Sequence, residues 1–166
     1  MTNDDGVDLA IIELLFFAYR DFTSDPDQIL SEYGFGRAHH RVLHFVNRTP
    51  GLTVAELLEV LKITKQSLAR VLKQLIDTDH IVQVQGPRDR RQRELYPTAR
   101  GRALALALAR PQSHRIRKAL QDANISDRTA IEQFLKAMVN PELRAQVDNL
   151  PADAAGKIAG RSHGDE

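Results

Sequence analysis

The sequence predicts a mainly α-helical fold with one small β-hairpin, and three observations carry that prediction. Apolar residues recur at helical spacing through most of the chain, capping residues precede several of these stretches, and a short alternating segment is followed by a Gly-Pro turn. The 166 residues, 42% of them hydrophobic, suit one domain or one core with an attached helical lobe. Disorder is therefore expected only at the chain ends.

The composition narrows the classes of function. No cysteine is present, which rules out disulfides, thiolate nucleophiles and thiol redox switches. The longest apolar run is far below the roughly 18–20 residues needed to cross a bilayer, and the acidic amino terminus is unlike a signal peptide. The motifs GxxxxGK(S/T), HExxH, GxSxG and GxGxxG are all missing. We expect a cytoplasmic protein that is not an enzyme, holds no cofactor and does not bind a membrane.

The first helix is expected over Asp8–Phe22, a segment that is apolar almost all round. A lone surface helix keeps one polar face, so this helix should be buried on more than one side, by the rest of the chain or by a second copy. Ser24 and Pro26 then offer a cap and a proline at the first helical position, which predicts a short helix ending at Glu32. Residues 1–36 hold eight Asp or Glu against one Arg, so this end should repel a polyanion.

A third helix, over Gly36–Asn47, carries three of the six histidines: His39, His40 and His44. The spacing of His40 and His44 puts them on one polar face, whereas His39 lies nearer the apolar stripe. Such a pair could hold a metal, line a ligand pocket, or be plain solvated or core histidines. Because further metal donors would have to come from elsewhere and no cysteine exists, we favour the plain interpretation and expect no metal site.

Two further helices follow a turn at Thr49–Gly51. Thr53 can cap the first, Val54–Lys62, and Thr64 can cap the second, although Ser67 is not the Glu or Gln of a full capping box. In the second helix one stripe is apolar: Leu68, Val71, Leu72, Leu75 and Ile76. The opposite face is polar and basic: Gln66, Arg70 and Lys73.

A hairpin is expected next, because Ile81–Val84 alternates like a strand, Gly86 and Pro87 turn the chain, and Gln92–Tyr96 can return. Arginines crowd its tip: Arg88, Arg90, Arg91 and Arg93. From Lys62 to Arg102 ten Lys or Arg face four acidic residues, a balance of +6 in a chain of net charge +1, so the remainder carries −5. One surface of the molecule should therefore attract a polyanion, the charge pattern of a nucleic-acid footprint.

The remaining chain is expected to be helical. Thr98 can cap a helix through residues 103–109, which Pro111 should end or kink, and residues 112–122 resume as a basic helix. Ser126 should cap a helix reaching Val139, and Pro141 should start a last one that ends near Leu150. The segment after it is expected to fray.

The segment Leu52–Arg102 resembles the MarR family of bacterial transcription regulators, which are dimeric winged helix-turn-helix proteins. The resemblance covers about the middle third of the chain and rests on LTVAELLEVLKITKQSLARVLKQLID as the helix pair, GPRDRRQ as the wing tip, and LYPTARGRAL before a long helix. The family usually has Gly where this chain has Asp79, a residue type that tolerates left-handed backbone. Pro97 stands where the family prefers an aliphatic residue.

The resemblance implies a winged helix-turn-helix core, residues 36–102, between helical dimerisation segments at 1–35 and 103–166. It implies a homodimer that binds double-stranded DNA, with the second helix in the major groove and the wing in the minor groove. Gln66 and Arg70 would read bases, Ser67 and Lys73 would hold phosphates, and Asp89 would steer Arg91, which we favour over Arg90 for the minor groove. The full set of expected DNA-binding residues is Thr64, Lys65, Gln66, Ser67, Arg70, Lys73, Arg88, Asp89, Arg90, Arg91 and Arg93.

Many family members also bind a small effector in a cleft between the dimer helices and the DNA-reading lobe, where His39, His40 and His44 would lie. The sequence leaves open a repressor released by such an effector, an activator, or a constitutive binder; we expect a repressor at the bacterial nucleoid. An alternative from another class is a winged helix that binds proteins and does not read DNA.

Overall fold

The structure, a computed structural model, describes residues 6–148, and these form eight helices and a three-stranded sheet. The helices are α1 (Leu9–Ser24), α2 (Asp27–Glu32), α3 (Arg37–Arg48), α4 (Val54–Leu61), α5 (Lys65–Asp77), α6 (Ala99–Asp122), α7 (Arg128–Met138) and α8 (Pro141–Asp148). The strands are β1 (Leu52–Thr53), β2 (Ile81–Gln85) and β3 (Arg93–Pro97). The mainly α fold with a hairpin is therefore confirmed.

Three threonines start helices as the sequence predicted. The hydroxyl of Thr53 accepts from the Glu56 N–H at 3.2 Å while the Glu56 carboxylate accepts from the Thr53 N–H at 2.9 Å, which completes a capping box. Thr64 accepts from the Ser67 N–H at 3.1 Å. Thr98 accepts from the Gly101 N–H at 2.9 Å. These caps fix where α4, α5 and α6 begin.

The sheet is antiparallel in the order β1-β3-β2, with Val82 opposite Tyr96 and Leu52 opposite Leu95. The sequence predicted the hairpin of β2 and β3 but not β1, because two residues are too few to show alternation. β1 exists through its pairing with β3, where the Gly51 N–H donates to the Leu95 carbonyl at 2.8 Å.

One hydrophobic core joins α2 to α6 and the sheet. Its members include Leu30, Leu43, Leu57, Leu75, Ile81, Leu95 and Leu108, each with at most 1% of its surface exposed. The core draws residues from all three expected segments, 1–35, 36–102 and 103–166. The helix pair and hairpin are thus built onto the same core as the start of the long helix α6.

Two predicted caps are wrong. Ser24 belongs to the last turn of α1, where its hydroxyl donates to the Asp21 carbonyl at 2.9 Å, and Pro26 occupies the cap position of α2. Helix α7 is capped by Asp127 instead of Ser126, since the Asp127 carboxylate accepts from the Thr129 N–H at 3.0 Å. In both cases the observed cap residue lies one or two positions further along the chain than the predicted one.

Helix α6 runs through Pro111 without ending, so of the two outcomes predicted there, an end or a kink, the end is wrong. Two side chains directly after the proline contact the region where α1 meets α2. Gln112 donates to the Phe22 carbonyl at 3.1 Å, and Arg115 forms a bidentate ion pair with Asp25 at 2.5 and 2.8 Å.

Helix α8 is described as far as Asp148, so its predicted end near Leu150 and the tail after it lie outside the described residues.

Helix α1 is left mostly exposed by the described part of the chain. None of its residues is buried, and Leu14 and Phe16 are 65% and 72% exposed. The sequence allowed α1 to be buried either by the rest of the chain or by a second copy. Residues 6–148 do not bury it. Among those residues no helix combines the length and apolar character that a bilayer crossing requires.

Candidate nucleic-acid interface

Helix α5 presents its polar face to solvent because its apolar face is fully engaged. Leu68, Val71, Leu72 and Leu75 are buried, whereas Gln66, Arg70 and Lys73 are exposed. The hydroxyls of Thr64 and Ser67 are hydrogen-bonded to each other at 2.9 Å at the start of the helix. The predicted base-reading residues therefore lie together on one accessible surface.

The turn after α5 depends on Asp79, whose φ of 61° confirms the left-handed backbone expected there. It leads into His80, a fully buried residue that sequence analysis missed. The Thr78 hydroxyl donates to the Gln74 carbonyl at 2.7 Å and so accepts from His80 Nδ1, at 2.8 Å. The other ring nitrogen, Nε2, has no hydrogen-bond partner, and the ring meets Tyr33 and Phe35 edge-on.

Burial, with a smaller contribution from Arg100, lowers the pKa of His80, and Asp79 opposes that shift. The imidazole is therefore neutral at physiological pH. A lone histidine beside a helix end shows no periodicity, so only its place directly before an apolar strand could have suggested burial.

The start of α6 is locked against this turn. Thr98 donates from its hydroxyl to the Asp79 carbonyl at 2.7 Å and from its N–H to the His80 carbonyl at 3.2 Å. A Cβ on Gly101 would lie 1.9 Å from the His80 carbonyl oxygen. Only glycine fits here, which gives a physical reason for the glycine in the LYPTARGRAL segment.

The wing tip is shaped by its own backbone. The Gly86 N–H donates to the Gln92 carbonyl at 2.9 Å, and the Gln92 N–H donates to the Asp89 carbonyl at 3.1 Å. A Cβ on Gly86 would come within 2.9 Å of the Asp89 carbonyl oxygen, so this turn also requires glycine. Four exposed arginines lie at this tip: Arg88, Arg90 and Arg91 in the loop and Arg93 at the start of β3.

Asp89 differs from the expectation. Its carboxylate accepts from the backbone N–H of Arg91 at 2.9 Å, not from the guanidinium. Asp89 therefore shapes the loop and leaves the Arg91 side chain unpaired; within residues 6–148 none of the four wing arginines forms an ion pair.

Helix α5 and the wing meet at a cleft of about 630 Å³. Its basic lining comes from both elements: Lys65 and Lys73 on α5, Arg91 and Arg93 on the wing. Apolar side chains of α4 and α5, among them Leu58 and Leu72, also line it. Lys73 is bonded to Asp77 at 2.5 Å within the same cleft. Arg88 and Arg90 do not line the cleft.

His39 has a structural role. Its Nδ1 accepts from the Gly36 N–H at 3.0 Å, its Nε2 lies 2.5 Å from the Gln74 side-chain oxygen, and its ring stacks on Phe35 at 4.7 Å. With 9% of its surface exposed, it ties α3 to α5 and is not free for an effector.

His40 and His44 remain on the other face of α3. Burial lowers the pKa of both; Asp27 opposes the shift at His40, while His40 and Arg48 add to it at His44. The described residues contain no group of three or more His, Cys, Asp or Glu side chains placed to hold a metal ion. A larger cleft, about 1070 Å³, opens along α6 without these histidines, and its charged lining is Asp25, Arg110, His114, Arg115, Arg117, Lys118 and Asp122.

A helix pair with an exposed, long-chained polar face, followed by a basic-tipped hairpin, defines a winged helix-turn-helix protein. Similarity to known proteins supports this class. The model of the MarR family matches residues 33–92. The HTH-type transcriptional regulator PetP of Rhodobacter capsulatus is 48% identical over 139 residues, which is 84% of each chain. The chain belongs to the MarR family, and it is a DNA-binding transcription regulator.

Solved structures share the fold at low sequence identity. A MarR protein from Peptoclostridium difficile is similar with a TM-score of 0.68 at 17% identity, covering 88% of this chain and 95% of that one. The transcriptional regulator SlyA gives a TM-score of 0.61 at 21% identity, covering 83% and 94%. These likenesses extend the shared fold well beyond the segment that the motifs cover.

Proposed function

We propose that this regulator is a repressor that binds a specific operator as a homodimer. Helix α5 would lie in the major groove and the wing in the neighbouring minor groove. The observation that carries the proposal is the shared cleft, because cations of α5 and of the wing face one space beside the exposed Gln66 and Arg70. A DNA strand between a major and a minor groove would run through that space.

The residue roles follow from side-chain chemistry. Gln66 can bond two atoms of an adenine edge, and Arg70 two atoms of a guanine edge. Thr64, Lys65, Ser67 and Lys73 lie around them and would hold phosphates. At the wing Arg91 would enter the minor groove, with Arg90 beside it. Arg88 and Arg93 would contact the flanking backbone, and Asp89 would keep the loop in shape.

The homodimer is supported by α1. Its exposed apolar side chains form a surface that a second copy would cover, together with exposed residues of α7 such as Phe134 and Leu135. A twofold dimer requires a roughly palindromic site with half-sites one helical turn, about 34 Å, apart. We place its action in the bacterial cytoplasm, at the nucleoid.

An effector is a second part of the proposal. Because His39 is engaged within the core, the cleft along α6 is better suited to an anionic ligand than the histidine helix is. Binding there would change the separation of the two α5 helices and weaken operator binding. Operator affinity that stays constant while candidate aromatic anions are titrated would contradict this part.

Selection of genomic fragments by the purified protein tests the proposed function. We expect a palindromic sequence to be enriched, and Arg70→Ala to relax the preference at one position of each half-site by about 1–3 kcal/mol. Arg91→Ala should weaken the preference outside the half-sites. Arg41→Ala, an exposed arginine of α3, is the matched control and should select the same sequence. Selection of no sequence would favour a winged helix that binds proteins.

A further inference from the structure

Ala69 is the one short side chain in the middle of the exposed face of α5. Its neighbours on that face are long and polar: Lys65 and Gln66 one turn before it, Arg70 beside it, and Lys73 one turn after it. Ala69 is exposed and lines the cleft between α5 and the wing. The face therefore carries a small apolar notch surrounded by hydrogen-bonding groups.

We propose that Ala69 is a specificity-determining residue that recognises the 5-methyl group of a thymine in each half-site. The inference rests on the proposed function, since it requires α5 to lie in the major groove. The proposed contact adds recognition of one base at position 69 of α5, where the side chain cannot form a hydrogen bond.

The chemistry of the notch favours thymine. A methyl group can neither donate nor accept a hydrogen bond, so a base that presents an amino group there would lose water without replacement. Thymine presents a methyl group in the major groove, and alanine is among the side chains that make apolar contact with it. Leu72 and Ile76 extend the apolar surface into the cleft, so the contact would be shielded from water on one side.

The short side chain of Ala69 allows the close approach to the base that this contact requires. A residue as long as its neighbours at position 69 would hold the helix away from the base edges. Alanine lets the backbone approach while Gln66 and Arg70 reach the bases on either side. A purely steric role would make the same demand for a small residue, so the test must separate approach from methyl recognition.

Replacement of single thymines by deoxyuridine in the selected operator provides that separation, because only the methyl group is removed. We expect one thymine in each half-site at which the exchange weakens binding by about fourfold, the effect of removing roughly one buried methyl group. Ala69→Ser and Ala69→Gly should bind the thymine and uracil operators equally. Ala103→Ser, an exposed alanine of α6, is the control and should keep the fourfold difference.

Two results would overturn the inference: equal binding of every uracil-substituted operator by the wild-type protein, or an unchanged thymine preference in both Ala69 variants. Thermal unfolding of each variant shows that it is folded before binding is compared. The dependence of operator choice on Arg70 is measured on the same DNA. If that dependence persists while thymine preference is missing, the inference fails and the proposed function stands.

Discussion

The ion pair of Lys73 and Asp77 lies on the surface that we assign to DNA. Both side chains are largely exposed, at 75% and 57%, so the pair contributes little to folding. Asp77 nevertheless places a negative charge in the cleft where phosphates would lie, and it occupies Lys73 in the free protein. The pair therefore competes with the polyanion.

Asp77→Asn should strengthen binding to all DNA sequences and steepen the fall of log affinity with log salt by about one unit, because Lys73 becomes free for a phosphate. The measurement is a salt titration of operator and unrelated DNA. Lys118 and Asp122 form a pair of the same spacing and distance, 2.5 Å, on α6. Asp122→Asn is thus the matched control, and an equal effect of both substitutions would show that only net charge matters.

We expect His80 to make folding sensitive to acid. Its pKa is lowered by burial in the folded state, whereas a histidine in the unfolded chain has a pKa of about 6.5. Below that pH the unfolded chain binds the extra proton first, so the contribution of neutral His80 to stability is complete above about pH 6.5 and is lost as pH falls toward the folded-state pKa.

We predict that His80→Phe reduces the loss of unfolding free energy between roughly pH 7.5 and pH 5.5, as measured by urea unfolding. Phenylalanine keeps the ring contacts with Tyr33 and Phe35 but cannot be protonated. His44→Gln, which removes another histidine whose pKa is lowered by burial, is the comparison and should leave the His80 contribution in place. An unchanged pH dependence in His80→Phe would show that this ring is not the source.

Individual residues were predictable where their chemistry is local. The exposed face of Gln66, Arg70 and Lys73 follows from helical spacing, and the structure has it. Helical spacing also placed His39 nearer the apolar stripe, as a core histidine would be, but not its hydrogen bonds, because its partners Gln74 and Gly36 lie on another helix and at a helix cap. Asp89 also required three dimensions: the sequence shows its nearness to Arg91 but not that the backbone N–H is the donor.

Among the secondary-structure elements, the contact of α6 with the turn after α5 sets the position of the wing relative to α5. Gly101→Ala should destabilise the protein by about 3 kcal/mol or more, because the new methyl group would overlap the His80 carbonyl oxygen. Denaturant unfolding at fixed protein concentration measures this. Gly36→Ala has open space around the new Cβ and should cost less than about 1 kcal/mol; equal losses would mean that the close approach is not the cause.

Elements with strong local signals were predicted well, and those decided by distant contacts were not. Threonine caps fix the starts of α4, α5 and α6, and each cap involves residues only a few positions apart. Strand β1 depends on β3, which lies more than forty residues later. The continuity of α6 through Pro111 accompanies contacts of Gln112 and Arg115 with the α1–α2 corner, and no pattern within α6 reports them.

For the whole molecule, the central feature is the apolar surface of α1, which residues 6–148 leave exposed. A double substitution of Leu14→Glu and Phe16→Glu should produce a monomer, because two charges would have to be buried in the proposed interface. Light scattering across protein concentrations measures the mass. Val82→Glu, at an exposed apolar position of the sheet, is the control and should leave the mass unchanged. A dimer that survives the α1 substitutions would place the interface elsewhere.

In the proposed complex, α5 occupies the major groove and the wing occupies the minor groove of a twofold site. Dimethyl sulfate footprinting tests both grooves at once, since it methylates guanine N7 in the major groove and adenine N3 in the minor groove. We predict protected guanines in two half-sites about one helical turn apart, flanked by protected adenines whose protection disappears in Arg91→Ala. Protection confined to one groove, or identical in wild type and Arg91→Ala, would contradict the account.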